Sequence, residues 1–358
     1  MKKLKSKRKK FLVRKSKKTQ DRATKRRKRQ GKFHKRKQEN SLTKAYERNL
    51  DFIKKSRKDI TISPKNNLEL LEHTNNVIEF ISELKSYRNV AHEVKSIFID
   101  LKDVISIDIG TISLLLSSVK ELALYDINVK GNLPKKQNTK DAFIDSGYLE
   151  HMGEVSKSIK KSMRVSNKEN LLLMLAKEKS ESKKVGQCIK LGIKALTGKE
   201  NHYPPVYGII QEMNGNSVEH AYKDKKHWIM GINHDKIKNK LIFTFTDNGF
   251  GIIRTLKKRF NINAFKKMNW HTDEKILEGV FDKKYNSRFK KQYNRNKGLP
   301  VIKKAQAENK IKNLIVIANE SIVNFNTGKA SRLNKEFSGT FYYWELDLKT
   351  YMNGKNIN

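Results

Sequence analysis

The chain is poor in cysteine, and its single cysteine is Cys188. One cysteine excludes a disulfide within the chain and a metal site built from several thiolates. Long apolar runs are also missing, since the longest, ISLLLSSV at residues 112–119, is far too short to span a bilayer. No apolar stretch follows the basic amino terminus, so we expect no secretory signal. These absences predict a soluble, cytoplasmic protein with no membrane partner.

Acidic residues are scarce, with 37 Asp and Glu against 78 Lys and Arg, and the formal net charge is +41. Such an excess favours polyanionic partners such as nucleic acid. The imbalance is strongest in the first 37 residues, which hold 21 Lys or Arg and one acid, Asp21. Repulsion between like charges and the shortage of apolar residues predict a disordered basic tail over residues 1–45.

This basic tail has two interpretations. It is either an arm that neutralises nucleic-acid phosphates or a solvated tail that only aids solubility. We favour the nucleic-acid arm because the cations are so dense. Its candidate phosphate contacts are Lys7, Arg8, Arg26, Arg27 and Arg29.

The remaining length is enough for two ordinary domains, and 37% of the residues are hydrophobic. Strand-like and helical stretches alternate between residues 60 and 152, which predicts a small α/β domain. Residues 153–202 are rich in Lys and Ser and are predicted to be a helical connector. A second α/β region then occupies residues 203–350, so the fold class is α/β (α+β).

The stretch IIQEMNGNSVEHAY, residues 209–222, has helical periodicity and carries Glu212, Asn216 and His220 at spacings of four. Residues four apart are neighbours on a helix surface, so these side chains form one polar row. An ordinary solvated helix face is the alternative interpretation of this row alone.

Two glycines follow a strand-like stretch in LIFTFTDNGFGI, where Asp247 precedes Gly249 and Gly251. Glycine lets a backbone approach a ligand closely, and an acid at a strand end can accept hydrogen bonds from an exocyclic amine. A simple Asn-Gly turn explains this stretch equally well.

Further along, Lys297 and Gly298 precede a helical stretch in NRNKGLPVIKKAQAE, an arrangement suited to binding phosphate. Thr340 follows a glycine in the terminal strand-like stretch SGTFYYWELDL.

Taken in order, Glu-x-x-x-Asn on a helix, Asp-x-Gly-x-Gly after a strand, Gly-Leu-Pro and Gly-Thr resemble the GHKL ATPases. This superfamily includes gyrase, heat-shock chaperones, histidine kinases and mismatch-repair ATPases. The resemblance covers residues 203–348 and implies a Bergerat-type α/β sandwich that binds ATP and Mg²⁺. It implies that Asn216 is the Mg²⁺ ligand, that Asp247 reads adenine with Thr340 as its partner on the far strand, and that Glu212 is the general base.

The resemblance also implies nucleotide contacts for the remaining motif residues: His220, Gly249, Gly251, Lys297 and Gly298. Residues 253–295 would form the ATP lid. One position departs from the family pattern, because Asn296 stands where the second glycine box usually begins with Gly. Because of this departure, slow catalysis is expected, whereas ATP binding should be retained.

Within the superfamily the chain resembles the anti-sigma-factor serine kinases most, since neither His92 nor His151 has the context of a phosphoacceptor histidine. The stretch from residue 60 to 152 resembles a STAS domain, the fold of anti-sigma-factor antagonists. The acceptor serine of that family is missing from the loop Asp108-Ile109-Gly110-Thr111, which leaves Thr111 or Ser106 as substitutes.

We therefore expect an ATP-binding switch that hydrolyses ATP or transfers its phosphoryl group. A regulatory STAS-like domain would bind a protein partner, and a homodimer is a further option. The alternatives are a non-catalytic nucleotide-sensing interaction module, a serine protein kinase of the anti-sigma type, and a nucleic-acid-binding protein with a degenerate ATPase fold.

Overall fold

The computed structural model describes residues 8, 11, 13–30, 32, 57–152, 171–177, 182–220, 227–259, 272–282 and 298–355. It is a mixed α/β structure with parallel and antiparallel sheets. The chain divides into two units, residues 1–58 and residues 59–358. Among the described residues, no helix has the length and apolar character needed to cross a membrane.

In the first unit, residues 13–30 form a helix, α1, in which every side chain is exposed. We predicted disorder over residues 1–45, and for the described helical residues that prediction is wrong. Lys, Arg, Gln and Ala have high intrinsic helix propensity, and full exposure lets solvent and salt screen the repulsion between the cations.

The region from residue 58 to 145 contains two small sheets and three helices. Their bounds are β1 Lys58–Ile62, β2 Asn67–Leu68, α2 Thr74–Ser86, β3 Val94–Ile99, β4 Ser106–Ile107, α3 Ile109–Ala123, β5 Asn128–Gly131 and α4 Gln137–Asp145. One sheet has the order β1-β3-β5, and β2 pairs with β4. The pairs β3–β5 and β2–β4 are parallel. The alternation of strands and helices predicted from the sequence is present.

The region from residue 171 to 355 is built on one antiparallel sheet. Its elements are β6 Leu171–Lys177, α5 Ser182–Thr197, α6 Pro204–His220, β7 His227–Asp235, β8 Lys240–Asp247, α7 Ile252–Arg259, α8 Asp273–Phe281, α9 Gly298–Ala307, β9 Lys312–Asn324, β10 Lys329–Asp347 and α10 Leu348–Lys355. The strand order is β6-β7-β8-β10-β9. Strand β6 falls in the predicted helical connector, and its pairing with β7 makes it an edge of the sheet.

Both faces of the five-stranded sheet are covered, because successive side chains of a strand point to opposite sides. On one face Met230, Phe245 and Trp344 pack in a core with helices α5 to α9. On the other face Phe341 and Tyr343 join the core that contains α2 and α3. The two regions of the second unit therefore share the sheet as a common layer.

Helix α3 is buried on nearly every side because it lies between β5 and the strands β7 and β8. Asp108 caps its amino terminus and accepts hydrogen bonds at 2.8 Å from the amides of Leu70 and Thr111. Two buried hydroxyls of α3 reach the large sheet: Ser113 Oγ lies 2.9 Å from Thr244 Oγ1, and Ser117 Oγ lies 3.3 Å from His227 Nε2.

Candidate functional site

Asp247 is the last residue of β8, and Thr340 of β10 lies directly opposite it in the antiparallel ladder. Trp228 of β7 flanks Asp247 on the other side. The expectation of Thr340 on a far strand needs correction, because the order β8-β10-β9 makes β10 the immediate neighbour of β8. The predicted acid and its threonine are thus adjacent in the sheet.

The Asp247 carboxylate is buried, with 7% of the residue exposed. It accepts hydrogen bonds from the Gly249 amide at 2.8 Å and from the Ser217 hydroxyl at 3.2 Å. Burial raises the pKa of Asp247, and these hydrogen bonds oppose the rise. The result is an acceptor held in a fixed orientation at the end of a strand.

Sequence reasoning missed Ser217, which is not among the predicted site residues. The sequence did offer a signal. Ser217 directly follows Asn216, and it continues a series of apolar residues at helical spacing, where a hydroxyl needs a hydrogen-bond partner. Ser217 also bonds back to the Met213 carbonyl at 2.9 Å, so its hydroxyl is shared between helix and site.

Two glycines beside Asp247 have positive φ, which other residues adopt only with strain. Gly251 has φ 82°, and a Cβ there would lie 2.5 Å from Asn319 Oδ1. Gly339 has φ 117°, and a Cβ there would overlap the backbone carbonyl oxygen of Asp247. The absence of a side chain therefore lets β10 approach Asp247 closely at Gly339, and lets the loop after β8 approach Asn319 closely at Gly251.

Helix α6 carries Glu212 and Asn216 one turn apart, and both are half-buried. Gly298, the first residue of α9, lies against them: a Cβ at Gly298 would lie 2.7 Å from Glu212 Oε2 and 3.4 Å from Asn216 Nδ2. The Nδ2 atom of Asn216 is buried and has no hydrogen-bond partner. An acid, a carboxamide and a helix amino terminus thus meet at one place.

Ser217 joins the two groups, since it follows Asn216 in α6 and its hydroxyl contacts Asp247. The polar row of α6 therefore lies where this helix meets the end of β8. The predicted lid, residues 253–295, is described only in α7, α8 and a few flanking positions, and the remainder lies outside the described residues.

A cavity of about 480 Å³ lies elsewhere, between α7, the start of α8 and the strands β9 and β10. Its cationic side chains have acidic partners: Arg254 lies 3.5 Å from Glu336 and Lys257 lies 2.5 Å from Asp273. None of the individual residues assigned to catalysis or nucleotide binding from sequence lines it, although part of the predicted lid, residues 253–295, does. We regard the α6–β8–α9 junction as the candidate site because the predicted residues meet there.

Other predicted site residues have varied positions. His220 is the last residue of α6, while Lys297, Asn296 and Lys7 lie outside the described residues. The remaining arm residues are exposed: Arg26, Arg27 and Arg29 lie on α1, and Arg8 lies before it.

The two substitute phosphoacceptors differ in access. Thr111 is fully buried, and its hydroxyl donates to the Leu68 carbonyl oxygen. Ser106 is half-buried, and its hydroxyl donates to Glu69 Oε2 at 2.9 Å. Glu69, Glu72 and His73 place their ligating atoms within 4.8 Å of one another. Of the two hydroxyls, only Ser106 is partly accessible to solvent.

None of the family models compared with the chain matches it, and none of the curated proteins matches it either.

Proposed function

We propose that residues 203–350 form a GHKL-type domain of Bergerat architecture, which binds ATP with Mg²⁺ at the junction of α6, β8 and α9. The observation that carries this proposal is the meeting of two groups of side chains. Asp247 stands opposite Thr340, and Glu212 and Asn216 stand against Gly298.

Asp247 is proposed to read the base. Its carboxylate is fixed by Gly249 and Ser217, and an ionised carboxylate retains lone pairs for an exocyclic amine. The close approach at Gly339 sets β10 against the backbone of Asp247, which places Thr340 directly opposite this residue in the ladder.

The group around Gly298 suits the phosphates and their metal ion. The absence of a Cβ at Gly298 lets the start of α9 approach Glu212 and Asn216 closely, and the first amides of a helix amino terminus favour anions. The buried Nδ2 atom of Asn216 has no hydrogen-bond partner and could donate to a phosphate oxygen, while the carboxamide oxygen of the same side chain would hold the metal ion. A bound magnesium ion would supply charge neutralisation at the phosphates.

Glu212 is proposed to orient and deprotonate the attacking water or acceptor hydroxyl. Its carboxylate lies on the same helix face as Asn216, one turn earlier, so both act at the same end of the nucleotide. A positioned general base contributes roughly 10²–10⁴-fold in rate. Hydrolysis and transfer to a serine both fit this role.

The other regions are proposed to couple this site to partners. Residues 60–152 are proposed to form a STAS-like domain that offers its outer surface to a protein. The exposed basic helix α1 is proposed to bind nucleic-acid phosphates. The protein would then act as an ATP-dependent switch on a nucleic acid.

ATP affinity and the fate of γ-labelled phosphate test the nucleotide proposal. Wild type should bind Mg-ATP, Asn216→Ala should lose that binding, and Glu212→Ala should bind ATP without turnover. Glu200→Ala, at an exposed carboxylate paired with Lys194 at 3.1 Å, is the matched control and should behave as wild type. Label in free phosphate indicates an ATPase, label on protein a kinase, and label on neither a non-catalytic nucleotide sensor. Wild-type protein that binds no ATP would refute the proposal.

The arm is tested by deleting residues 1–40 and measuring affinity for duplex DNA and single-stranded RNA against salt. Lost phosphate contacts should weaken binding and flatten the dependence of log affinity on log salt. An unchanged affinity and slope would show that the arm is only a solvated tail.

A further inference from the structure

Two charged side chains are buried, and a third is half-buried, between the region 58–145 and strand β10. Lys85 at the end of α2 and Glu121 of α3 are only 3% and 1% exposed, and Lys85 Nζ lies 3.0 Å from Glu121 Oε2. Arg88, in the 3₁₀ turn after α2, contacts the other oxygen of Glu121. These three residues are called the buried triad.

The buried triad is attached to one short segment of β10. Lys85 Nζ donates to the Ser338 carbonyl oxygen at 2.6 Å, and Arg88 Nη1 donates to the Ser338 hydroxyl at 3.1 Å. The Lys85 ammonium also lies 4.9 Å from the centre of the Phe337 ring. The two residues after Ser338 are Gly339 and Thr340, the residues that close on Asp247.

This segment is irregular and needs support from outside the ladder. The pairing of β10 with β9 shifts register between Phe337 and Thr340, and the pairing with β8 begins only at Thr340. Gly339 between them has φ 117°. The hydrogen bond from Lys85 therefore holds a carbonyl oxygen at the irregular point.

The free-energy cost of burying charges indicates that the triad fixes the position of β10 and adds little to stability. Burying charges costs free energy that their attraction barely recovers, and apolar side chains of similar volume often stabilise a fold as well or better. The triad also carries two positive charges and one negative charge. The ammonium of Lys85 is near enough to lower the pKa of Asp247, against the rise caused by burial.

We propose that Lys85, Arg88 and Glu121 are positioning residues for the nucleotide site, which hold the segment Ser338–Thr340 against Asp247 from behind the sheet. The part of this inference that concerns nucleotide binding rests on the proposed function. The part that concerns the ordering of Ser338–Thr340 does not. The base-reading acid is thereby supported by side chains from the other region of the same unit.

The test compares Lys85→Met with Lys65→Met in the full chain. Lys65 makes an exposed ion pair with Glu79 of α2 at 3.4 Å, so it controls for loss of a lysine near that helix. Arg88→Met is the milder second variant should Lys85→Met fail to fold. Amide hydrogen exchange over residues 336–342, without nucleotide, is measured first, followed by affinities for ATP and GTP.

We expect faster exchange at Ser338 to Thr340 in Lys85→Met and in Arg88→Met, and wild-type exchange in Lys65→Met. Loss of a charge-assisted hydrogen bond predicts ATP binding about tenfold weaker and a smaller preference for ATP over GTP. Unchanged exchange at the segment overturns the inference. Faster exchange with an unaltered ATP-to-GTP ratio also overturns it, because the triad would then be merely structural.

The exchange measurement separates this inference from the proposed function. If wild type binds no nucleotide, the proposed function fails, and exchange at Ser338 to Thr340 still decides whether the triad orders the segment.

Discussion

Replacing Gly339 by alanine tests whether the close approach of β10 to Asp247 is needed for folding and for nucleotide binding. A side chain at φ 117° costs about 1–3 kcal/mol in backbone strain. The new Cβ would also fall closer than 3.0 Å to the Asp247 carbonyl oxygen, where something must shift. Overpacking of this kind adds about 1–3 kcal/mol, so we expect a total loss of about 2–6 kcal/mol.

The chain offers a matched control in Gly328, which has φ 66° in the turn between β9 and β10 and no heavy atom within 4 Å of an added Cβ. Gly328→Ala should cost only the left-handed strain, about 1–2 kcal/mol, and should keep wild-type ATP affinity. Urea unfolding gives both free energies, and titration with ATP gives both affinities. Equal losses in the two variants, or wild-type ATP binding by Gly339→Ala, would refute the reasoning from this contact.

Three further predictions concern buried groups. Asp247→Asn should leave the free energy of unfolding equal or higher at neutral pH, because it removes a carboxylate whose burial raises its pKa. The same change should weaken ATP binding. Calorimetry measures the stability, and titration with ATP measures the affinity. Burial lowers the pKa of His227 to about 4 from 6.5, so the folded protein takes up its proton later than the unfolded chain, and stability should fall by about 3 kcal/mol as pH drops from 6.5 through 4. His227→Gln should lack that component in urea titrations across this range. Phe341→Ala should lose about 3–5 kcal/mol and loosen the packing of α2 and α3 on the sheet, since Phe341 belongs to the core that joins the two regions; urea unfolding measures the loss.

The local sequence pattern predicts those features of the site that depend only on residues close together in the chain. The spacing of Glu212 and Asn216 on a helix, the strand end at Asp247 and the special backbone at Gly251 all follow from periodicity and from glycine chemistry. Each is present in the structure.

Other features depend on contacts between residues far apart in the chain, which the local sequence pattern does not predict. The run LLLMLAK at residues 171–177 fits a buried helix or a buried strand equally well, and its ladder with β7 makes it a strand. Similarly, Lys85 and Glu121 would be assigned to a solvated surface by residue type, since Lys and Glu are almost never fully buried without a partner. Lys85 is buried against Ser338, which lies 253 positions away, and Glu121 is buried against Lys85.

The shared sheet connects the proposed nucleotide site with the region 58–145. Because α2 and α3 pack on the strands that carry Asp247 and Thr340, the two regions cannot part without exposing a common core. Close-packed interiors transmit small displacements, and Ser113 of α3 touches Thr244, three residues before Asp247. If the proposed site binds a nucleotide, we therefore expect the effect on the region 58–145 to be a shift of α3 against β8, and not the docking and release of a separate domain. Amide exchange in α3 with and without ATP measures this shift, and identical exchange in both states would exclude such transmission.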